Sequence, residues 1–452
     1  MTERRTLPVI NGVPLSTSKM ESLRRELASV LVAGQHALLA PAQPRAYAYA
    51  YLIARELGVP FILGAPHQQA KAFDTYRTIG DLTVVTCPTG AQVPPVLATT
   101  SGTSGLGRYV AWSPEALAYQ ATATTERLGT TETTRYATAL GMGSSYGFSV
   151  FNLALEYGTE FRTCDATSVS DLLAMLIARR CDSLDTLPGV WRYLAQAMRS
   201  DADLADAVRA LTVRGVGGEV VAHDLLDFFE DAGAPLHNGY GLTEAGPNVA
   251  ISIGAHYSPR HVGIPLVGTE VRIVDDEIQV RSASVADQVW SAEQRQLIPN
   301  PDLTDGGWLR TKDIGTLDPS GLLAVHGRLD AMLISQGAKL HSSVLEQQVR
   351  GTDRTAPEVA VLQVDPSNNG RRRVVLVAIT DAVDAGDDAE LARSIVADAR
   401  AFPVQFKARD ILLMRHADVP LTAAGKVDRR RLSAQVAAHL NGSMEMPCTQ
   451  LS

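Results

Sequence analysis

Apolar positions along the chain switch between a helical and a strand period. Met20, Leu23, Leu27, Val30 and Leu31 fall on one helical face, which predicts an amphipathic helix over 19–33. Short runs of β-type residues follow at 59–63 and 82–86, with helical stretches between successive runs. That alternation predicts an α/β layer around a largely parallel sheet. Ser113, Pro114 and Glu115 open a further helix. Serine caps the end, proline suits the first turn, and glutamate favours the positive end of the helix dipole. A strand over 211–216 runs into Gly217, Gly218 and Glu219. Two β-type runs at 271–274 and 278–281 flank acidic turn residues and predict a hairpin.

From about residue 330 the texture changes. Strands over 359–364 and 374–379, a helix near 388–401 and a strand over 411–414 read as a small α+β unit. The expectation is therefore a large α/β region of mixed sheets flanked by helices over 1–329, and a small mobile α+β domain over 330–452. A chain of 452 residues has ample length for both. The last ten residues are polar and read as loose. No internal repeat or low-complexity segment interrupts the pattern.

Charge and cysteine content narrow the function classes. The formal net charge is -8, with both signs interspersed, so no basic face marks a nucleic-acid binder. No apolar run approaches the length of a membrane span, and the first residues lack the apolar stretch of a signal peptide. Cys87, Cys164, Cys181 and Cys448 are far apart, with no CxxC and no Cys/His metal spacing. They read as buried, reduced thiols of a cytoplasmic protein.

The densest candidate chemistry lies between Thr99 and Gly107, where Ser and Thr hydroxyls alternate with glycines. Glycine lets the backbone turn its N–H groups toward an anion, and the hydroxyls add donors for phosphate oxygens. This is not a Walker loop, which needs Gly-Lys-Ser/Thr entering a helix. Here β-type residues precede the loop at 96–100 and follow it at 109–112, so the geometry expected is strand, turn, strand. Taken alone, the stretch is equally an ordinary hairpin turn.

Three later segments bear on it. Asn238-Gly-Tyr-Gly-Leu-Thr-Glu244 offers a ring to stack on a base and a carboxylate to hold magnesium, though alone it reads as a turn with a surface glutamate. Gly307-Trp-Leu-Arg-Thr-Lys-Asp313 is followed by His326-Gly-Arg-Leu-Asp330. A carboxylate such as Asp313 can accept both hydroxyls of a ribose, and Arg328 can meet a phosphate; a surface ion pair is the plain alternative. Pro420 to Arg429 places Lys426 after a glycine turn.

In this order and spacing the segments resemble the adenylate-forming superfamily: acyl-CoA synthetases, aryl-acid ligases and the adenylation domains of peptide synthetases. The resemblance runs from Thr99 to Arg429. It implies an enzyme that joins ATP and an acid into an acyl adenylate with release of pyrophosphate, using Mg2+. The acyl group then passes to the pantetheine thiol of coenzyme A or of an acyl carrier protein. Thr100, Ser101, Gly102, Thr103, Ser104 and Gly105 would hold the β- and γ-phosphates. Gly218, Glu219, Asn238, Gly239 and Tyr240 would frame the adenine. Thr243 and Glu244 would position phosphate and magnesium. Asp313 would bind the ribose, with Arg328 near it. Lys426 would stabilise the charge growing on the bridging oxygens. Asp330 matches the hinge about which the small domain swings, and Gly337 would lie beside the incoming pantetheine arm. Residues 332–346 look more like those of acyl- or aryl-CoA ligases than of peptide-synthetase domains.

Departures from the family pattern also matter. The phosphate loop usually ends Pro-Lys-Gly; here Gly107, Arg108 and Tyr109 stand, and Arg108 keeps the charge. The usual Thr-Gly-Asp is Thr311-Lys312-Asp313. The region ahead of the loop is short for the family, so a trimmed first subdomain is expected. Peptide-synthetase domains place an aspartate near the acyl pocket to hold an α-ammonium. Here Ser144 and Ser145 stand with Tyr146, so a free α-amino acid is disfavoured; Gly241 also falls in the expected pocket. Two other readings stay open: adenylation of a small non-carboxylic acid such as nitrite with transfer to an amine, and a nucleotide-binding module without catalysis.

Overall fold

The computed structural model describes residues 7–64, 72–89, 96–99, 108–157, 160–164, 169–335, 338–350, 358–367, 372–380, 385–421 and 427–451. The phosphate-loop residues Thr100, Ser101, Gly102, Thr103, Ser104 and Gly105, together with Gly337 and Lys426, lie outside them. The chain divides into two compact units. One is Met1–Thr311 with Gly315–Val325, and the other is Lys312–Ile314 with His326–Ser452.

The alternating strand and helix patterns of the larger unit build two sheets. The first has nine strands and runs parallel from Val9–Ile10 through Glu160–Thr163, Tyr136–Thr138, Ser183–Thr186 and Val213–Gly217 to His237–Gly241. Antiparallel strands close both ends: Val13–Pro14 at one, Asn248–Ile251 and Ile264–Pro265 at the other. The second sheet has eight strands, with Arg108–Trp112 and Val96–Thr99 paired antiparallel at its centre. These two strands flank the Gly-rich loop, as the residue pattern predicts. An aromatic cluster of Tyr47, Tyr51, Phe61, Phe148 and Phe151 fills the main core, mostly in edge-to-face contacts that match ring edges to ring faces. A third sheet pairs Glu270–Val274 with Glu277–Arg281, then Leu309–Leu317 and Leu323–Arg328. The hairpin turn falls on Asp275 and Asp276, both at positive φ, as a two-residue turn matching strand twist requires.

The smaller unit contains a four-stranded sheet in the order Glu358–Val364, Arg373–Thr380, Ala408–Arg415 and Cys448–Leu451, with a buried apolar cluster on each face. The helix Ala385–Arg400 falls where the pattern placed one.

Three local expectations differ. The helix predicted over 19–33 is Thr17–Ala28, capped by Ser16. Beyond Ala28 the N–H groups of Val30 and Leu31 both return to the Leu27 carbonyl, so the chain turns although the apolar spacing continues. The polar C-terminus is not loose: Cys448–Leu451 forms the outer strand beside Ala408–Arg415. Strand pairing uses main-chain groups, so an open sheet edge accepts a polar segment. All four cysteines are free; Cys87 and Cys181 are buried as expected, whereas Cys164 and Cys448 are only half-buried. No helix among the described residues is long and apolar enough to cross a membrane.

Candidate active site

Within the larger unit, predicted site residues gather at the carboxyl ends of adjacent parallel strands, where open α/β sheets bind ligands. Val213–Gly217 ends ahead of Gly218, at φ +79°, and exposed Glu219. The neighbouring strand carries Asn238, Gly239, Tyr240 and Gly241, with Gly217 in register with Gly239. A Cβ on Gly217 would stand 2.9 Å from the Gly239 carbonyl, and one on Gly241 would overlap the Pro247 carbonyl. Glycine at these positions lets the two backbones meet closely.

The chain then enters the short 3-10 turn Thr243–Ala245, which is held from several sides. The Trp112 indole donates to the Thr243 carbonyl at 2.9 Å, and Ala286 N–H donates to that of Glu244 at 3.0 Å. Ala245 accepts from Ser284 Oγ at 2.7 Å and Gln120 Nε2 at 3.3 Å. Gln120 also donates to the Asn248 carbonyl and accepts from Asn248 N–H. Trp112 ends the strand that leaves the Gly-rich loop, so one strand serves both the loop and this turn. Trp112, Gln120 and Ser284 escape motif reading because their role is to fix another segment's backbone.

Thr243 Oγ1 donates to Ser145 Oγ at 3.0 Å, joining a predicted phosphate residue to a predicted pocket residue. Ser144 acts differently. Its hydroxyl accepts from Gly147 N–H at 3.0 Å and donates to the Gly141 carbonyl at 2.7 Å, so it caps the helix Ser145–Tyr157. Tyr146 donates to Asp185 Oδ1 at 3.0 Å, and Ser183 Oγ donates to Asp185 Oδ2 at the same distance. Asp185 is buried, and burial pushes its carboxyl up to about 6. It has no sequence signal, because its partners lie on other elements. Arg108 begins its strand and faces Asp302 across 3.7 Å.

The predicted ribose residues sit in the smaller unit. Buried Asp313 has Oδ1 3.4 Å from Arg328 Nη1. Lys312 adopts φ +62°, the left-handed region, where glycine sits more easily than a residue with a side chain. Gly327 has φ +138°, and a Cβ on it would overlap the His341 ring. That ring accepts from Arg328 N–H at 2.7 Å through Nε2, while its Nδ1 lies 2.7 Å from Ser343 Oγ. Asp330 lies in the single turn Leu329–Ala331, just after the start of this unit at His326. Among the described residues no three His, Cys, Asp or Glu side chains gather as a metal cluster.

Known proteins resemble this chain in sequence and in fold. A 2-succinylbenzoate–CoA ligase of Salmonella typhimurium is 32% identical over 200 residues, covering 44% of this chain and 39% of that enzyme. The matches span between about a quarter and two fifths of the length of the first curated relatives. The O-succinylbenzoate coenzyme A synthetase MenE of Bacillus subtilis, solved with AMP, superposes with a TM-score of 0.73 at 18% identity, covering 95% of each chain. The anthranilate CoA ligase AuaEII, solved with anthranoyl-AMP, gives 0.73 at 16% identity over 98% of this chain and 95% of that one. At such identities the likeness establishes the fold. The family model for AMP-binding enzyme matches residues 28–286, more than half of the sequence, and the chain belongs to that family.

Proposed function

We propose that this protein is an ATP-dependent, AMP-forming acid:thiol ligase acting on a small, aryl-type carboxylic acid. A carboxylate oxygen attacks the α-phosphorus of ATP and the bond to pyrophosphate breaks. A pantetheine sulfur, of coenzyme A or a carrier protein, then attacks the acyl carbon and AMP leaves with the electron pair. The observation that carries this reading is the Thr243–Ala245 turn, whose three carbonyls are all fixed by separate groups. A turn so held presents the Thr243 hydroxyl and Glu244 without reorganisation, as stabilisation of growing phosphate charge demands. The acid named for the Salmonella typhimurium relative, 2-succinylbenzoate, supports an aryl substrate.

Each residue has a defined task in this reading. Residues 100–105 and Arg108 hold the terminal phosphates, while Gly218, Glu219 and the strand Asn238 to Tyr240 flank the base. Asp313 accepts the ribose hydroxyls, with the Arg328 guanidinium beside it. Glu244 suits magnesium, which takes oxygen ligands and draws the rest of its shell from water and substrate phosphate. When bound, the ion neutralises phosphate charge. Lys426 supplies a fixed ammonium to the bridging oxygens. Asp330 serves as the hinge and Gly337 lines the thiol path. The 1–329 region is then the AMP- and acid-binding domain and 330–452 the lid. Four free thiols support a reducing compartment, the cytoplasm.

The test is product analysis by mass spectrometry after incubation with ATP, magnesium and an acid panel. Parallel samples contain coenzyme A, a phosphopantetheinylated carrier, or nitrite with an arylamine. A thioester in either of the first two supports the proposal. AMP formed only with nitrite and the amine overturns it in favour of a nitrite-activating enzyme. ATP binding without turnover in all three overturns it in favour of a non-catalytic module.

A further inference from the structure

The Asp185–Tyr146 pair stands apart from the residues assigned to ATP above, at the carboxyl end of a strand of the nine-stranded sheet. A continuous row of polar contacts leads to it. Thr243 touches Ser145, Tyr146 is the next residue, and the Tyr146 hydroxyl reaches Asp185.

The backbone beneath this row carries no side chains of its own. Asp185 is in register with Gly215, and Gly217 is in register with Gly239. Gly215 and Gly217 share a face, because alternate residues of a strand point the same way. A Cβ on Gly215 would overlap the Asp185 carboxylate and stand 3.3 Å from the Tyr146 hydroxyl. One on Gly217 would stand 3.7 Å from the edge of the Tyr146 ring. Gly215 and Gly217 thus make the room in which the Tyr146 ring and the Asp185 carboxylate lie.

A carboxylate gives poor value to folding in such a place. No basic side chain among the described residues pairs with Asp185, and burial disfavours its charged form. Its hydrogen bonds come from two neutral hydroxyls, Tyr146 and Ser183. Two carboxylate oxygens offer about four acceptor positions, so capacity remains for a ligand donor.

We infer that Asp185, oriented by Tyr146, sets substrate specificity: the acid adenylated carries an amino or hydroxyl group at the end remote from its reacting carboxylate, and Asp185 accepts that group's hydrogen. This rests on the adenylating function proposed above. An apolar group in the same position leaves the carboxylate desolvated and unpaired. Sites built to bond a polar group reject analogues lacking it much more strongly than apolar pockets reject a missing methylene.

The test is acid-dependent pyrophosphate exchange with matched trios: para-aminobenzoate, para-hydroxybenzoate and para-toluate; γ-aminobutyrate, γ-hydroxybutyrate and pentanoate. Wild type is expected to favour a donor-bearing acid over its methyl counterpart by at least about tenfold in kcat/KM, the amino and hydroxyl arms separating the two donors. In Asp185→Leu that preference disappears while exchange with the methyl acid is retained or improved. Should the leucine variant fail to fold, Asp185→Asn, nearly isosteric, is expected to narrow the preference several-fold. Tyr146→Phe, which frees the carboxylate to turn, narrows it as well. Equal use of donor and methyl acids by wild type overturns the inference, as does an unchanged preference in both Asp185 variants. Absence of exchange with every acid, by wild type as by the variants, overturns the adenylating function itself.

Discussion

Replacing Asp185 with asparagine removes a buried charge with little change of shape, and its effect on stability depends on pH in a direction fixed by the structure. The carboxyl is raised from an ordinary 3.8 to about 6, chiefly by burial, with the Tyr146 and Ser183 hydroxyls opposing the rise. Between these values the folded protein binds more protons than the unfolded chain. Folding stability from this group is therefore fully present below about 3.8 and is lost as pH rises through about 6. A hundredfold change in protonation equilibrium corresponds to about 3 kcal/mol, which is the penalty carried by wild type at pH 7 relative to strongly acid solution. Asparagine carries no such penalty. Urea unfolding of both proteins, followed by tryptophan fluorescence from about pH 4.5 to 7.5, gives the difference directly. The asparagine variant gains on wild type by about 2 kcal/mol across that range, most of it below pH 6.5. A difference that stays flat, or that moves in favour of wild type as pH rises, refutes the account of a desolvated, unpaired carboxylate.

Gln120→Leu leaves the Asn248 N–H without its acceptor and removes a donor from Ala245, so a loss of about 1–3 kcal/mol is expected in urea unfolding. Its KM for ATP should rise as well, since the turn carrying Thr243 loosens. Lys312 sits in left-handed backbone, so Lys312→Gly should be more stable than Lys312→Val by about 2 kcal/mol in the same assay. Equal stabilities would deny the strain. Arg108→Ala is expected to raise the KM for ATP several-fold with a smaller change in kcat; steady-state kinetics that leave both unchanged remove Arg108 from phosphate binding.

The parts of the fold read well from sequence are those that local chemistry determines. The strands Val96–Thr99 and Arg108–Trp112 stand out because apolar β-type residues border a run of glycine and hydroxyl residues. The helix at Pro114 is announced by its own cap, and Ser113 indeed accepts from Ala116 N–H at 3.1 Å. Asp185 is invisible by comparison. Its meaning comes from Tyr146, 39 positions earlier, and from the strand register that sets it beside Gly215. Gln120 and Trp112 look like ordinary helix and strand residues until the turn they fasten is folded against them. Ser144 has the reverse history: its position suggests a pocket, while its hydroxyl is used by the helix it starts. The edge strand Cys448–Leu451 owes its order to a partner's free backbone groups, which no property of the segment itself announces.

The central claim, that the chain activates an acid by adenylation, is tested most directly by acid-dependent exchange of labelled pyrophosphate into ATP, measured in parallel for wild type and Lys426→Ala. The account predicts exchange by wild type with at least one carboxylic acid, absolute dependence on that acid, and a loss of at least about a hundredfold in the variant, the cost of one transition-state donor. Exchange of equal rate in Lys426→Ala, or none by wild type with any carboxylic acid, contradicts it.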